Sequence, residues 1–466
     1  MQAAGSDSVP HFFSIAGPSA HGEGRSFGIS GPDPRSGMPI EKTYSLSGSG
    51  QQDYLDLFAA VARDFGTRTP RNRHGEAAPA SVLPCRPLLT ANISPDILYG
   101  YGDPAVLRVE VNGAIVYYLV VTSNDAPNAF PLLRSTDLEH WRMTGFVFPE
   151  GRWPGWMAQG AGTSDCWAPE LHRVGADYLL CFSARAKDGS LAIAIATSSH
   201  PGGPYSFSDE PLLAGGVIDP NIFVDADGSA LLLWKEDSND RWPALLAALL
   251  HEEPSVALAL FDDFADRRTA ALAGALWPTA RELEPMERFF ALQPLIEAAV
   301  DDFSGLRERL ARLGPHRGGA ILDAMRTPIF AQPLSPDGQS LTGSPQVILV
   351  NDLAWEGHLI EGPWLMRHGS RYYLFYSGND FSTADYGIGV AVASSPLGPF
   401  LKMERPILRS SCDWAGPGHP SAALGPDGVP RLFFHAFVPG QAGYKAFRAL
   451  LSTRLAFRPD GVDLLG

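Results

Sequence analysis

The chain has 466 residues, of which 45% are hydrophobic and 19% charged, with 48 glycines and 40 prolines. This composition is typical of a turn-rich globular protein and excludes a disordered or coiled-coil chain. The formal net charge of -15 argues against nucleic acids and anionic membrane surfaces as partners, because both require clustered lysine and arginine. We therefore expect neither a nucleic-acid nor a membrane partner.

The N-terminal segment, MQAAGSDSVPHFFSIAGPSA, has neither a basic region nor a continuous apolar region. It does not resemble a signal peptide, which predicts a cytoplasmic protein. A secreted protein whose signal had been removed would look the same. Residues 1–85 are rich in glycine, serine and proline and are predicted to form an irregular extension, with one helix-like stretch at residues 52–65.

From residue 86 to the C-terminus, the sequence repeats a unit of two apolar strands joined by a tight turn. Asn-Gly and Asp-Gly pairs between apolar runs are the strongest short-range signal for a hairpin, and they occur at Asn112, Asp227 and Asp427. A polar residue opens each of five such units: Asp103, Asp165, Asp219, Glu361 and His419. The spacing of these residues is nearly even except in the third interval.

The long third interval contains residues 240–326, which are rich in leucine and alanine and apolar at three- and four-residue spacing. This pattern predicts helices. Without this stretch five near-equal units remain, which predicts an all-β fold, a five-bladed β-propeller over residues 86–466 with a helical insertion in the third blade. Because the insertion leaves from the end of a second strand, we expect it to stand over the face that carries the opening residues, as a lid or extra wall.

Three of the opening residues are carboxylic acids held next to proline. Asp103 and Asp219 directly precede a proline, and Glu361 precedes Gly-Pro. Proline favours an extended backbone at the preceding residue and fixes the entry of the strand. Since first strands line the central funnel of a propeller, the three acids are predicted to converge there. Hydrolysis of a glycosidic bond needs two acids in opposite roles, and a third carboxylate can keep the pKa of one of them high.

With these motifs, the chain resembles glycoside hydrolase family 43, the five-bladed propeller enzymes that act on arabinose- and xylose-containing glycans. The resemblance covers residues 99–450 and rests on an ordered set of motifs: YGYGDPAV, SDCWAPELH, VIDPNIFVDADG, LLLWKED, AQPLSPDGQSL, LIEGPWL, YYLFYSGND and GPGHPS. It implies that Asp103 is the general base, that Glu361 is the general acid and that Asp219 tunes and orients that acid. The implied mechanism inverts configuration, with base and acid ~6.5–9.5 Å apart.

The resemblance also implies a role for His419, which matches the funnel histidine of the family. In some members this histidine contacts a central calcium or a water cluster, so His419 is a candidate metal contact; the alternative is an ordinary hydrogen-bonding role, since calcium prefers several oxygen ligands. Otherwise no cofactor is required. Two departures from the family pattern put substrate specificity in doubt: Glu170 stands where an aspartate is common, and the helical insertion is not a core family feature.

Further residues are candidates for substrate contact. Those predicted at the ends of second strands either contact sugar hydroxyls or cap loops: Asn124, Asp125, Arg185, Asn379 and His435. Trp167 either stacks on a sugar ring or is buried between blades. Arg448 resembles a family position that faces the funnel.

The predicted substrate is an oligosaccharide or polysaccharide. The leading hypothesis is an exo-acting glycosidase that releases terminal α-L-arabinofuranosyl or β-D-xylosyl residues from plant-type glycans or oligosaccharides. The alternatives are an endo-arabinanase or a galactofuranosidase, and, in another class, a non-catalytic carbohydrate-binding propeller. The sequence gives no indication of the oligomeric state.

Overall fold

The computed structural model describes the following residues: 13–21, 24–71, 82–124, 126–158 and 165–466. The backbone divides into two compact units. The first, called here the mixed unit, comprises Met1–Glu76 and Ser238–Arg326, and the second, the strand unit, comprises Ala77–Asp237 and Thr327–Gly466. Among the described residues, no helix has the length and apolar character needed to cross a membrane.

The N-terminal part of the mixed unit is an antiparallel three-stranded sheet followed by a helix. The strands are β1 (Ser14–His21), β2 (Gly24–Pro32) and β3 (Pro39–Leu46), and the helix is α1 (Gln51–Phe65). The prediction of an irregular extension is therefore wrong for these residues, whereas the helix-like stretch is helical.

The strands escaped prediction because glycine, serine and proline interrupt a two-residue apolar period. Phe27 and Ile29 on β2 are buried, and Phe27 pairs with buried Tyr44 on β3. Only alternate positions face inward, so the intervening residues need not be strand formers. Composition thus concealed a short but regular sheet.

The rest of the mixed unit is helical. Its helices are α2 (Arg241–Glu252), α3 (Val256–Leu260), α4 (Phe264–Ala280), α5 (Pro285–Val300), α6 (Phe303–Arg312) and α7 (Ala320–Ala324), with a π-helical turn at Pro315–Gly319. Polar pairs join α5 to α1: the Gln51 side chain donates to Gln293 at 2.9 Å, and the Tyr54 hydroxyl donates to Glu287 at 2.9 Å. These contacts make the N-terminal and helical segments one folded unit.

The strand unit consists of antiparallel sheets and one short 3-10 helix at Ala354–Glu356. Its strands are β4 (Arg86–Leu89), β5 (Ala105–Val111), β6 (Ala114–Val120), β7 (Ala129–Ser135), β8 (Arg142–Phe148), β9 (Cys166–Val174), β10 (Asp177–Arg185), β11 (Leu191–Ser198), β12 (Ser206–Phe207), β13 (Val217–Val224), β14 (Ala230–Glu236), β15 (Pro328–Pro333), β16 (Gln346–Val350), β17 (Ile360–His368), β18 (Arg371–Gly378), β19 (Gly387–Ala393), β20 (Leu401–Lys402), β21 (Ala415–Leu424), β22 (Pro430–Phe437), β23 (Ala449–Arg458) and β24 (Gly461–Leu464).

Within the described residues these strands form five sheets, each of consecutive strands: β5–β8, β9–β12, β13–β16, β17–β20 and β21–β24. The last sheet gains β4, which pairs with β23. In the third sheet β14 and β15 are direct partners, with Lys235 opposite Ile329. The chain between these two strands, residues 238–326, belongs to the mixed unit.

Each sheet begins with the same backbone feature, a residue in the left-handed conformation followed by proline. These residues have φ between 46° and 57°: Asp103, Ala168, Asp219, Gly362 and His419. Two differ from the opening residues predicted above, since Ala168 replaces Asp165 and Gly362 replaces Glu361. The sequence analysis followed charge, whereas the repeated element is a strained backbone before proline, which a non-glycine residue adopts at a cost of roughly 1–2 kcal/mol.

Side chains of the preceding sheet hold these strained residues in place. In three cases the backbone N–H donates to a hydroxyl at or near the end of the preceding sheet's second strand, at 3.0, 3.1 and 2.8 Å. The donor and acceptor pairs are Ala168 with Thr122, Asp219 with Ser183, and His419 with Ser377. Each sheet thus fixes the entry of its neighbour.

At the remaining two junctions between sheets, predicted site residues make the hydrogen bonds. The Gly362 N–H donates to Asp219 Oδ2 at 2.8 Å, which links the third sheet to the fourth. The Asp103 N–H donates to His435 Nδ1 at 3.2 Å, which links the fifth sheet to the first. The hydrogen bonds therefore connect the sheets in a cycle, and four of the predicted site residues take part in it: Asp103, Asp219, His419 and His435.

Candidate active site

Asp103 is surrounded by cationic and hydrogen-bonding groups. Arg448 donates to its Oδ1 at 2.9 Å, and the Nδ1 atoms of His419 and His435 lie 3.5 and 3.4 Å from the same oxygen. The Thr122 hydroxyl donates to Oδ2. Burial by itself raises the pKa of Asp103, but the Arg448 charge, the largest opposing effect, and the hydrogen bond from Thr122 help to hold this pKa well below the usual range. Asp103 is therefore ionised at neutral pH.

Glycines make room for the arginine that binds Asp103. A Cβ on Gly102 would lie 1.8 Å from the guanidinium carbon of Arg448, and Gly100 pairs with the backbone of Arg448. The glycines of the YGYGDP motif thus allow the late strand to approach the first sheet closely. They explain why this motif directly precedes the carboxylate.

Gly102→Ala is expected to move the acid side of the pH–activity profile to higher pH. The added methyl group displaces the flexible guanidinium, so the pKa of Asp103 rises and the carboxylate is lost at a higher pH. We expect a shift on the order of one pH unit in kcat/KM, together with a lower Tm because the ion pair between Arg448 and Asp103 is weakened. Gly155→Ala is the matched control, because nothing lies within 4 Å of the added atom. An unchanged acid limb in Gly102→Ala would contradict the role of Arg448.

Asp219 and Glu361 are buried carboxyl groups whose pKa values are raised, in contrast to that of Asp103. Burial raises the pKa of Asp219 to about 6; Lys235 opposes this rise and the Asp103 charge adds to it. Burial also raises the pKa of Glu361, although Lys235 opposes it, and the Asp219 charge adds to the rise. The Tyr386 hydroxyl donates to Glu361 Oε1 at 2.9 Å, and Lys235 Nζ lies 3.6 Å from Oε2. The net effect is a pKa of Glu361 above that of an ordinary glutamate.

Asp219→Asn is expected to stabilise the fold at high pH. Since the folded pKa of Asp219, about 6, lies above its ordinary value of 3.8, the stability linked to its proton is present below the ordinary value and lost as pH rises through 6. Asparagine is neutral throughout and still accepts the Gly362 N–H. The variant should gain roughly 2–3 kcal/mol of unfolding free energy at pH 8 and almost none at pH 4.

Urea denaturation of both proteins at the two pH values measures this difference. Asp225→Asn is the matched control: hydrogen bonds from Tyr372 and Arg367 outweigh the effect of burial and lower the pKa of Asp225. The control should therefore lose stability at high pH. The prediction fails if the Asp219→Asn gain is the same at pH 4 and pH 8.

Glu170 is a further buried carboxyl group in this site. Burial, the Asp219 charge and the Asp103 charge raise its pKa well above the usual range. Its Oε1 lies 4.0 Å from His419 Nε2, and its Oε2 has no hydrogen-bond partner among the described residues. The sequence analysis noted Glu170 only as a departure from a motif. In the structure it is a neutral acid beside the ionised Asp103.

A second group of predicted residues is built around Trp167. Its ring nitrogen donates to Asn124 Oδ1 at 2.5 Å, and the Arg185 guanidinium lies over its ring, 5.6 Å from the centroid. Arg185 in turn donates to Asp165 at 2.7 Å. Trp167 is only partly buried, so Asn124 and Arg185 hold an accessible aromatic ring in a fixed orientation. Asp165 acquires a role here as the anchor of Arg185.

The other predicted contacts lie in varied surroundings. Asn379 adopts a left-handed turn, φ 70°, and its side-chain oxygen accepts the Asp380 N–H at 2.9 Å. His435 is fully buried behind Asp103 and stacks on Tyr386, with ring centroids 6.0 Å apart. Asp125 lies outside the described residues.

The role of His419 as a candidate metal contact stays a prediction. The carboxyl oxygens of Asp103 and Glu170 lie 3.5 and 4.0 Å from its two ring nitrogens. Calcium takes six to eight oxygen ligands at 2.3–2.6 Å. Across the part of the chain that the structure describes, no group of three histidine, cysteine, aspartate or glutamate residues is arranged to hold a metal ion.

Sequence reasoning left Tyr386 and Glu170 without a role. Tyr386 lies in the loop before β19, and nothing in the repeat marks it. Lys235, near the end of β14, is a fully buried amine that acts on both Asp219 and Glu361. The motif LLLWKED could have indicated it, because a lysine in an apolar strand requires a buried anion.

A buried cluster that combines a carboxyl group of lowered pKa with one of raised pKa is the arrangement that hydrolysis of a glycosidic bond requires. Comparison with known families agrees. The family model described as "Glycosyl hydrolases family 43" matches residues 95–256 and 318–462. The chain belongs to this family, as its motifs predicted, and the predicted all-β class is confirmed.

Individual relatives are distant. Xylosidase/arabinosidase 43A from Humicola insolens is 25% identical over 248 residues, which is 53% of this chain and 60% of that protein. "Non-reducing end alpha-L-arabinofuranosidase BoGH43B" from Bacteroides ovatus is 27% identical over 125 residues, 26% of this chain and 22% of that protein. The crystal structure of a thermostable family-43 glycoside hydrolase has a TM-score of 0.55 and 26% identity, covering 79% of this chain and 93% of that chain. The match thus spans at most 60% of the length of these two relatives.

Proposed function

We propose that the protein is an inverting, exo-acting glycosidase that removes terminal α-L-arabinofuranosyl or β-D-xylosyl residues from plant-type glycans or oligosaccharides. The observation that carries this proposal is the pairing of two buried carboxyl groups in different surroundings, Asp103 beside Arg448 and Glu361 beside Tyr386, which shift their pKa values in opposite directions. An ionised Asp103 can take a proton from water, and a protonated Glu361 can give one to the leaving oxygen. The names of the relatives support the choice of sugars.

In the proposed reaction, water attacks the anomeric carbon from the face opposite the leaving group. Asp103 accepts a proton from this water as the new C–O bond forms. Glu361 gives its proton to the glycosidic oxygen, which takes the electron pair of the breaking bond. Asp219 binds the N–H of Gly362, the residue after Glu361, and its charge keeps the pKa of Glu361 high. A separation of ~6.5–9.5 Å between base and acid stays a prediction.

We further propose that the five sheets of the strand unit are the blades of a closed five-bladed propeller. The cycle of hydrogen bonds between consecutive sheets supports this, above all the bond from Asp103 to His435 that joins the last sheet to the first. Helices α2–α7 would then be an insertion in the third blade, between the paired strands β14 and β15.

A screen of nitrophenyl glycosides tests the activity and the ring form together. We expect turnover of the α-L-arabinofuranoside or the β-D-xylopyranoside and release of monosaccharide from oligosaccharides. Proton NMR of the first product should show an inverted anomeric configuration. Turnover of the β-D-galactofuranoside alone would replace the proposed sugars. Long oligomers appearing early from linear arabinan would replace exo with endo action, and binding without hydrolysis would indicate a non-catalytic propeller.

A further inference from the structure

The carboxyl group of Glu361 is held by a tyrosine that the reaction above does not use. Tyr386 is 1% exposed, and its hydroxyl donates to Glu361 Oε1 at 2.9 Å. A Cβ on Gly418 would lie 1.8 Å from the Tyr386 ring, so only glycine admits the ring at this position. The His435 ring stacks on the Tyr386 ring at an interplanar angle of 18°. Packing alone therefore fixes where the tyrosine hydroxyl lies.

A serine fixes the direction in which that hydroxyl points. The His419 N–H donates to Ser377 Oγ at 2.8 Å, and Ser377 also hydrogen-bonds Tyr386. A serine hydroxyl has one hydrogen and two lone pairs. Because Tyr386 donates its only hydrogen to Glu361, the hydrogen between Ser377 and Tyr386 is the one that Ser377 supplies. The chain of donors runs one way, from backbone to carboxyl group.

We propose that this Ser377–Tyr386 relay fixes the transferable proton of Glu361 on Oε2. Oε1 accepts from Tyr386, so the carboxyl hydrogen is carried by the other oxygen. The inference rests on the proposed role of Glu361 as general acid. Tyr386 and Ser377 are positioning residues, since they act through Glu361 and not on the substrate.

The proton transfer balances without further reagents. The Oε2–H bond breaks, the glycosidic oxygen gains the proton, and that oxygen keeps the electron pair of its bond to the anomeric carbon. Tyr386 retains its own hydrogen and donates it to a carboxylate once the transfer is complete, which strengthens the hydrogen bond. Lys235, 3.6 Å from Oε2, stabilises the negative charge left on that oxygen. Both contacts therefore favour the state after transfer.

Aryl glycosides with different leaving groups test the relay. Phenol is a poor leaving group and needs protonation, whereas 2,4-dinitrophenol leaves almost unaided. Tyr386→Phe keeps the ring and removes the hydroxyl, so we expect kcat for the phenyl glycoside to fall by about 10–100-fold and kcat for the dinitrophenyl glycoside by less than about threefold, with KM unchanged. Ser377→Ala should show the same selective loss to a smaller degree. The double variant should be no worse than Tyr386→Phe, because Ser377 acts through Tyr386.

Tyr376→Phe is the matched control, since Tyr376 is another buried tyrosine that donates to a glutamate, Glu356, at 2.7 Å. It should affect both leaving groups equally. Equal losses in Tyr386→Phe, or no loss, would overturn the relay. If circular dichroism shows that Tyr386→Phe does not fold, Ser377→Ala is used instead, with the same comparison of kcat for the phenyl and dinitrophenyl glycosides. Glu361→Gln separates the relay from the acid role. If the loss in Glu361→Gln does not depend on the leaving group, Glu361 is not the general acid. If it depends on the leaving group in Glu361→Gln but not in Tyr386→Phe, only the relay fails.

Discussion

Asp103→Asn is expected to lower kcat by about 10³–10⁴-fold, because asparagine cannot take a proton from the attacking water. The loss should appear in kcat rather than KM, since the amide keeps the shape of the carboxylate. The variant should also be less stable, because the Arg448 charge loses the carboxylate that it binds at 2.9 Å. Activity is therefore measured well below the Tm of the variant, which a thermal melt provides.

Asp225→Asn controls for the loss of an arginine partner, since Asp225 binds Arg367 at 2.9 Å outside the acid cluster. We expect this control to keep full activity. If Asp103→Asn retained more than a tenth of the wild-type kcat while folded, Asp103 would not be the general base. The product of any residual turnover should still be inverted.

Glu361→Gln should remove nearly all activity toward substrates with poor leaving groups. Glutamine still accepts the Tyr386 hydrogen bond but has no proton to give. We expect a loss of about 10³-fold with the phenyl glycoside and less than about tenfold with the dinitrophenyl glycoside. The wild-type kcat/KM should fall as pH rises through the raised pKa of Glu361, and this alkaline limb should be absent from the variant.

Initial rates across pH with both aryl glycosides measure these effects. Glu110→Gln, at an exposed position on β5, is the control and should behave as wild type. A variant that lost the same factor for both leaving groups, or kept the alkaline limb, would assign the proton donor elsewhere. Glu170, the other carboxyl group with a strongly raised pKa, would be the next residue to replace.

The acids could be found from sequence because their presentation is local. Asp103 and Asp219 lie directly before proline, and the dipeptide marks the entry of the strand. The extended backbone expected before proline is wrong for both residues, since their φ angles are positive. The same local feature explains why the sequence analysis chose the wrong opening residue in the second sheet. There the strained residue is Ala168, which carries no charge, and reading the repeat by its polar residues selected Asp165 instead.

The groups that set the protonation states could not be found in the same way. Tyr386 reaches Glu361 only because Gly418, on another strand, leaves space for its ring. Arg448 meets Asp103 across 345 residues of sequence. Such contacts depend on how the sheets pack against one another. The pattern of residues within one segment therefore cannot predict them. Composition likewise concealed the N-terminal sheet, whose inward positions are few and separated by glycine and serine.

The pairing of β4 with β23 determines when this enzyme can first work during its synthesis. Thr453 on β23 donates to the Pro84 carbonyl across 369 residues, so the first strand of the unit waits for nearly the last. Asp103 is translated long before Arg448, the residue that binds its carboxylate at 2.9 Å. A chain that stops before β23 would therefore contain all three acids but not the arginine that orients Asp103. We expect such truncated chains to lack activity, although every acid of the site is present.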